Sequence, residues 1–168
     1  RKVKDVANAM DAMPPLEAAP LRVSTQSASD LSNIPDGCID YVFTDPPFGS
    51  NIQYSELNLL WESWLGERTN AASEAVINRS QGKSHDDYSD LMAQAFSEMH
   101  RVLRPGGWMT LLFHNTSGRV WQCIQQGLEA GQFDVKSIGT FDKAHDTFKQ
   151  VTAEGAVGYD VIVHSRKS

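Results

Sequence analysis

Two consecutive prolines, Pro46-Pro47, stand directly behind the run Cys38-Ile39-Asp40-Tyr41-Val42-Phe43-Thr44. That junction constrains the fold more than any other stretch. The run is apolar apart from Asp40 and Thr44 and is rich in β-branched and aromatic residues, which predicts a strand buried on both faces of a parallel sheet. Neither proline can donate to a sheet ladder, so the strand has to end there. Pro46 also pushes Asp45 towards extended backbone. A carboxylate (Asp45) and a proline carbonyl (Pro46) are thereby held at the carboxyl end of a strand, with the ring of Phe48 just beyond. In open α/β sheets ligands bind at that end.

The chemistry such a group suits follows from its acceptors. The exocyclic amine of a nucleobase is a poor nucleophile, because its lone pair is delocalised into the ring. The carboxylate of Asp45 and the carbonyl of Pro46 could each accept one N–H from it. That favours a more tetrahedral nitrogen, a stabilisation aimed at the transition state. Phe48 could stack on the base, which must be flipped out or presented single-stranded. Asp-Pro-Pro-Phe-Gly after a hydrophobic strand resembles the catalytic motif of the S-adenosyl-L-methionine-dependent amino-methyltransferases, which methylate adenine N6 or cytosine N4 in DNA. The resemblance implies catalytic roles for Asp45, Pro46, Pro47 and Phe48 and a cofactor contact for Asp45. It extends to Gly49-Ser50-Asn51-Ile52, Tyr54-Ser55-Glu56-Leu57-Asn58 and Trp64-Leu65, wording similar to a branch of adenine-specific DNA methylases. Asn51 and Tyr54 are the substrate-pocket candidates it adds.

The order of elements agrees with that family. Residues 1–20 form an N-terminal segment, in which Val3, Val6, Ala7 and Met10 fall at helical spacing ahead of Pro14-Pro15. Leu21 to Thr25 reads as a short strand. Asp30 follows it, and two readings stand: contact to the cofactor's adenine, as the resemblance implies, or capping of the next turn. Pro35-Asp36-Gly37 is a turn. Leu57, Leu60, Trp61, Trp64 and Leu65 make one helical stripe, read as core, with Gly66 as its cap. Residues 67–86 read as a polar loop that closes over the target or touches the nucleic acid, with a solvated linker as the rival reading. Asp86-Asp87 open a strong helix to about Arg104, with Tyr88, Met92, Phe96 and Met99 on its buried face. Leu103-Arg104-Pro105-Gly106-Gly107 stops it ahead of the strand Trp108–Phe113. This succession recurs in class I methyltransferases. His114 leaves that strand on the edge shared with Asp45, as a pocket group or as a histidine bonded to backbone. A helix from about Gly118 to Ala130 is capped by Gly131. Two strands, Phe133 to Phe141 and Tyr159 to His164, give an antiparallel finish. The basic loop between them offers Lys143, Lys149 and Gln150 as contacts to nucleic acid, with plain solvation as the rival reading.

The expected fold class is therefore α/β, a Rossmann-like, doubly wound, mostly parallel methyltransferase sheet with an antiparallel C-terminal strand, incomplete in residues 21–168. The family's Phe-x-Gly-x-Gly cofactor turn is not in this sequence, and Gly155 and Gly158 lack its context. The resemblance thus covers the target-base half. The missing strands are expected before residue 1 or after residue 168, and the opening Arg1 reads as belonging to a fragment. The net charge of −6 argues against a stand-alone basic DNA-binding face, so further segments or subunits would supply phosphate contacts. DNA is the expected partner, with RNA second, and adenine is favoured because the family's cytosine members more often carry Ser where Asp45 sits. The rival from another class is a catalytically inactive binding module. No apolar run approaches the roughly 20 residues needed to span a membrane. Cys38 and Cys123 have no metal-ligand spacing and read as reduced core thiols of a cytoplasmic protein.

Overall fold

The computed structural model describes residues 26–50, 52–66, 68–142 and 159–168. Among the described residues four strands build one sheet in the order β1-β2-β4-β3: β1 is Ile39–Thr44, β2 Leu103–Phe113, β3 Phe133–Asp142 and β4 Tyr159–Lys167. β1 and β2 run parallel, with Thr44 opposite Leu111. β4 is antiparallel to both β2 and β3, so the expected antiparallel finish is present. The helices described beside the sheet are α1, Tyr54–Leu65; α2, His85–Val102; and α3, Gly118–Ala130.

The core lies between one face of the sheet and the helices α2 and α3. In β2 the period-2 alternation points Met109, Leu111 and Phe113 at the helices, where they pack with Tyr88, Met92, Phe96 and Met99 of α2 and Val120, Ile124 and Leu128 of α3. α2 starts on a capping box: the Ser84 hydroxyl accepts from the Asp87 N–H, and the Asp87 carboxylate accepts from the Ser84 N–H. Two of the first turn's orphan donors are satisfied in this way. The α2–α3 contact is close because it runs through glycines. A Cβ at Gly127 would sit 2.9 Å from Phe96 Cδ2, and one at Gly131 would sit 2.9 Å from Phe96 Cβ. Gly131 has ordinary right-handed backbone, so packing, not a left-handed cap, requires it there. The positive φ of 58° falls on Gln132 instead.

Four sequence expectations change. β1 is covered on one face only: Tyr41 and Phe43 are 52% and 63% exposed, because α2 and α3 occupy the opposite face and no described element covers theirs. The stripe of α1 is helical, with Gly66 capping it in the left-handed region. Yet no α1 residue is buried, and Trp64 is 85% exposed. Periodicity fixes a helix's apolar side without supplying the surface that side packs on. α2 ends at Val102, and β2 already begins at Leu103. Arg104 to Gly107 then bulge out opposite Asp40 alone, with Gly106 at a φ of 73°. A side chain on Gly107 would meet the Arg104 carbonyl at 2.9 Å. Finally, Cys38 is exposed while Cys123 is buried; Cys38 precedes the strand, where the packed face has not begun.

Residues 68–84 are ordered by their own polar groups. They contain two 3-10 turns, at Ala71–Ser73 and Arg79–Gln81, capped by the side chains of Asn70 and Asn78. The Lys83 ammonium donates to the carbonyls of Ala71 and Glu74, and Val76 is fully buried.

Candidate active site

Asp45-Pro46-Pro47-Phe48 leaves the carboxyl end of β1, and His114-Asn115 leaves the carboxyl end of the parallel neighbour β2. The two exits meet. The Phe48 and His114 rings have centroids 6.1 Å apart, and Phe48 packs edge-to-face on Phe113 at 5.2 Å. Phe113 in turn meets Trp121 edge-to-face at 4.9 Å. His114 Nδ1 lies 3.1 Å from the carboxylate of the buried Asp160 on β4. Neither sequence reading of His114 named that carboxylate, because β4 is 46 residues further along the chain.

Two side chains hold the motif's own backbone. Tyr88 Oη on α2 donates to the Pro47 carbonyl at 2.6 Å. Asn115 Nδ2 donates to the Phe48 carbonyl at 2.9 Å. Asn115 Oδ1 accepts from the Ser117 N–H at 2.7 Å, and its main-chain carbonyl accepts from Trp121 Nε1 at 2.9 Å. Burial, and secondarily the Cys123 thiol, push the Tyr88 phenol well above its ordinary range, so it stays a protonated donor. Behind the motif, Gly49 is buried at a φ of 72°, and a Cβ there would press on both methyls of Val120 at 3.2 and 3.3 Å.

Two cavities flank the motif. One of about 290 Å³ runs along Thr44 to Pro47, walled by Met92, Ala95 and Met99 of α2 and rimmed by Ser27, Ala28 and Ser29. The other, about 570 Å³, opens beyond Ser50 and is lined by polar groups, among them Gln53, Asn78, Arg79, His85 and Asn115.

The sequence-derived residues divide accordingly. Asp45, Pro46, Pro47, Phe48 and His114 come together at one sheet end. Asp30 does not line the first cavity. Its carboxylate accepts from the Ser32 N–H at 3.1 Å in an Asx turn, and the Ser32 side chain, followed by that N–H, holds the carboxyl below its ordinary range. Tyr54 opens α1 and is 42% exposed. Asn51, Lys149 and Gln150 lie outside the described residues, as do Lys143 and the expected strand at 21–25. Sequence reasoning missed Tyr88, which it counted as apolar helix face, and Asn115, the residue that follows His114. The signal for Tyr88 was available: a tyrosine on a buried face needs a partner for its hydroxyl. Among the described residues no group of His, Cys, Asp and Glu side chains gathers as a metal site, and no helix is long and apolar enough to cross a membrane.

No protein-family model matches the chain, and no curated protein matches it in sequence. Solved structures do match in fold. A proposed DNA modification methylase from Thermus thermophilus, solved with S-adenosyl-L-methionine, aligns at 18% identity and a TM-score of 0.50, over 84% of this chain and 53% of that one. The PvuII DNA methyltransferase, which is cytosine-N4-specific, aligns at 11% identity and 0.52, over 82% and 45%. A proposed methyltransferase from Bacillus halodurans C-125 aligns at 14% identity and 0.50, over 96% and 86%. The chain thus spans about half the length of the first two. At these identities the likeness is one of fold: a Rossmann-like α/β methyltransferase sheet, of which the described residues hold four strands.

Proposed function

We propose that this chain carries the target-base half of a DNA amino-methyltransferase, acting on the exocyclic amine of a base and on adenine N6 by preference. The observation that carries the reading is the placing of Asp45-Pro46-Pro47-Phe48. It leaves the carboxyl end of a parallel strand, has a cavity along Thr44–Pro47, and is braced from two other elements. The sheet end is where this class of fold binds its ligands. The cavity's composition suits S-adenosyl-L-methionine in part. Its apolar wall of Met92, Ala95 and Met99 and its serine rim fit a flat nucleoside with hydroxyls, and Asp45 lies beside it. When bound, that cofactor supplies an electrophilic methyl group on a sulfonium.

The chain's own residues do the rest. The Asp45 carboxylate and the Pro46 carbonyl each accept an N–H of the target amine and turn its lone pair out of the ring plane. As the nitrogen gains its new bond, the carboxylate stabilises the positive charge growing on it. Phe48 presents a π-face for the unstacked base, and fixed positioning supplies most of the remaining rate. Tyr54, His114 and, outside the described residues, Asn51, Lys149 and Gln150 are the substrate contacts of this reading.

The test is transfer of tritiated methyl from labelled S-adenosyl-L-methionine to DNA and to RNA by the full-length protein, beside Asp45→Ala. The expected result is label in DNA adenine, lowered at least ~100-fold in the variant, the scale for losing one aligned electrostatic group. Label in RNA alone would keep the chemistry and replace the substrate. No transfer to either, with no cofactor binding by calorimetry, would overturn the reading in favour of a non-catalytic module.

A further inference from the structure

We propose that Tyr88 and Asn115 are the positioning residues of the Asp45–Phe48 turn: by engaging the carbonyls of Pro47 and Phe48, they fix the turn so that the Pro46 carbonyl is the one presented to the target amine. The inference rests on the proposed function for its catalytic consequence and on geometry alone for its structural content.

The turn has three successive carbonyls after Asp45. The Pro47 oxygen accepts from Tyr88 Oη at 2.6 Å and the Phe48 oxygen from Asn115 Nδ2 at 2.9 Å. Among the described residues no donor reaches the Pro46 oxygen. The proline rings lock φ at 46 and 47, which leaves the turn's freedom in ψ. A carbonyl's direction is set by its own residue's ψ, so the two bonds freeze ψ at 47 and at 48, and ψ at 46 is confined because the chain is held on both sides of it, by β1 before and by the Pro47 carbonyl after. What remains is a rigid piece hung on the end of β1.

Both donors are themselves fixed. Tyr88 is fully buried and sits one turn into α2, whose start is set by the Ser84–Asp87 capping box. Asn115 closes a circuit: its amide holds Phe48, its main-chain carbonyl holds Trp121, Trp121 packs on Phe113, and Phe113 packs on Phe48. The Ser117 N–H, donating to Oδ1, requires Nδ2 to be the atom that faces Phe48. Aromatic pairs of this geometry add specificity of angle as well as burial. The plane of Phe48, the candidate stacking ring, is therefore set by its edge-to-face contact with Phe113 and by the hold on its own carbonyl.

Tyr88→Phe removes one oxygen and nothing else. Asn115→Asp keeps an acceptor for Ser117 and loses the donor to Phe48. In the full-length protein each variant should lower kcat by about 10- to 100-fold, the scale for displacing a reacting group by a fraction of an ångström to 1 Å. The KM for the cofactor should stay within about twofold, since neither side chain lines the cavity along Thr44–Pro47, and a role in fold maintenance alone would not produce that split. Wild-type kcat in both variants overturns the proposal. So that an inactive wild type does not shield it, the ¹³C carbonyl shifts of Pro47 and Phe48 are measured as well: they should move in Tyr88→Phe and Asn115→Asp respectively. Unmoved shifts overturn the proposal whether or not methyl transfer occurs. Moved shifts with an inactive wild type leave the positioning intact and count against the proposed function instead.

Discussion

Replacing Gly127 by alanine should destabilise the protein, although the same substitution in an open helix would stabilise it. Gly127 lies in the last part of α3 and is buried. Relative to glycine, alanine gains about 1 kcal/mol of helix propensity. Against that stands the Phe96 ring, which a new Cβ would approach at 2.9 and 3.1 Å. The ring has nowhere to go: Phe96 is fully buried, and Gly131 approaches its other end so closely that a Cβ there would sit 2.9 Å from Phe96 Cβ. Overpacking of this kind costs about 1–3 kcal/mol, so the net loss should be about 1 kcal/mol. Gly118, the first residue of the same helix, is the control, since a Cβ there meets nothing within 4 Å. Gly118→Ala should gain about 0.5 kcal/mol through the unfolded chain's entropy. The two variants should differ by about 1.5 kcal/mol, or roughly 3–6 °C in Tm for a chain of this size. Urea denaturation with an unchanged m-value is the assay. A Gly127→Ala midpoint at or above wild type would refute the packing argument.

Two further outcomes are expected. The Arg101 guanidinium, followed by the Leu31 N–H, holds the Glu98 carboxyl down at about 2 from an ordinary 4.5. Its stabilising contribution is present in full above pH 4.5 and is lost as pH falls towards 2. Glu98→Gln should therefore flatten the dependence of Tm on pH within that window, and an identical slope in both proteins would remove Glu98 as a source. Ser84→Ala removes the hydroxyl that accepts from the N–H groups of Asp86 and Asp87 and should cost about 1 kcal/mol by chemical denaturation. A loss under about 0.3 kcal/mol would mean that Asp87 alone holds the helix start.

Whatever depends on neighbours along the chain was legible in the sequence. Apolar runs bounded by Pro46-Pro47 and by Gly106-Gly107 marked β1 and β2, and 3.6-residue periodicity marked α2 and α3 to within a turn. Two things were not legible. One was the covering partner: Tyr41, Phe43 and the α1 stripe are patterned for burial, yet among the described residues no helix packs over them, because composition reports a preference and not a neighbour. The other was the bracing of the motif. Asp45 to Phe48 could be read as a site from four residues, but the groups that aim its carbonyls lie on α2 and at the end of β2. Asp30 admits two readings in the sequence because an Asx turn and a ligand contact ask for the same residue type. The Ser32 N–H supplies the turn.

The bonds from Tyr88 and Asn115 to the motif span 41 and 67 residues of chain. Loops of that length must close before either bond can form, and closure carries an entropic cost that local turn propensity does not offset. The turn's aim is therefore acquired with the tertiary fold and not before it. Asp-Pro-Pro-Phe moved alone onto another strand would keep its letters and its proline φ angles, but not the orientation of its carbonyls. Conversely, a substitution in the first turn of α2 or at the tip of β2 can re-aim the site without altering any of its four residues, so the motif's integrity cannot be judged from its spelling.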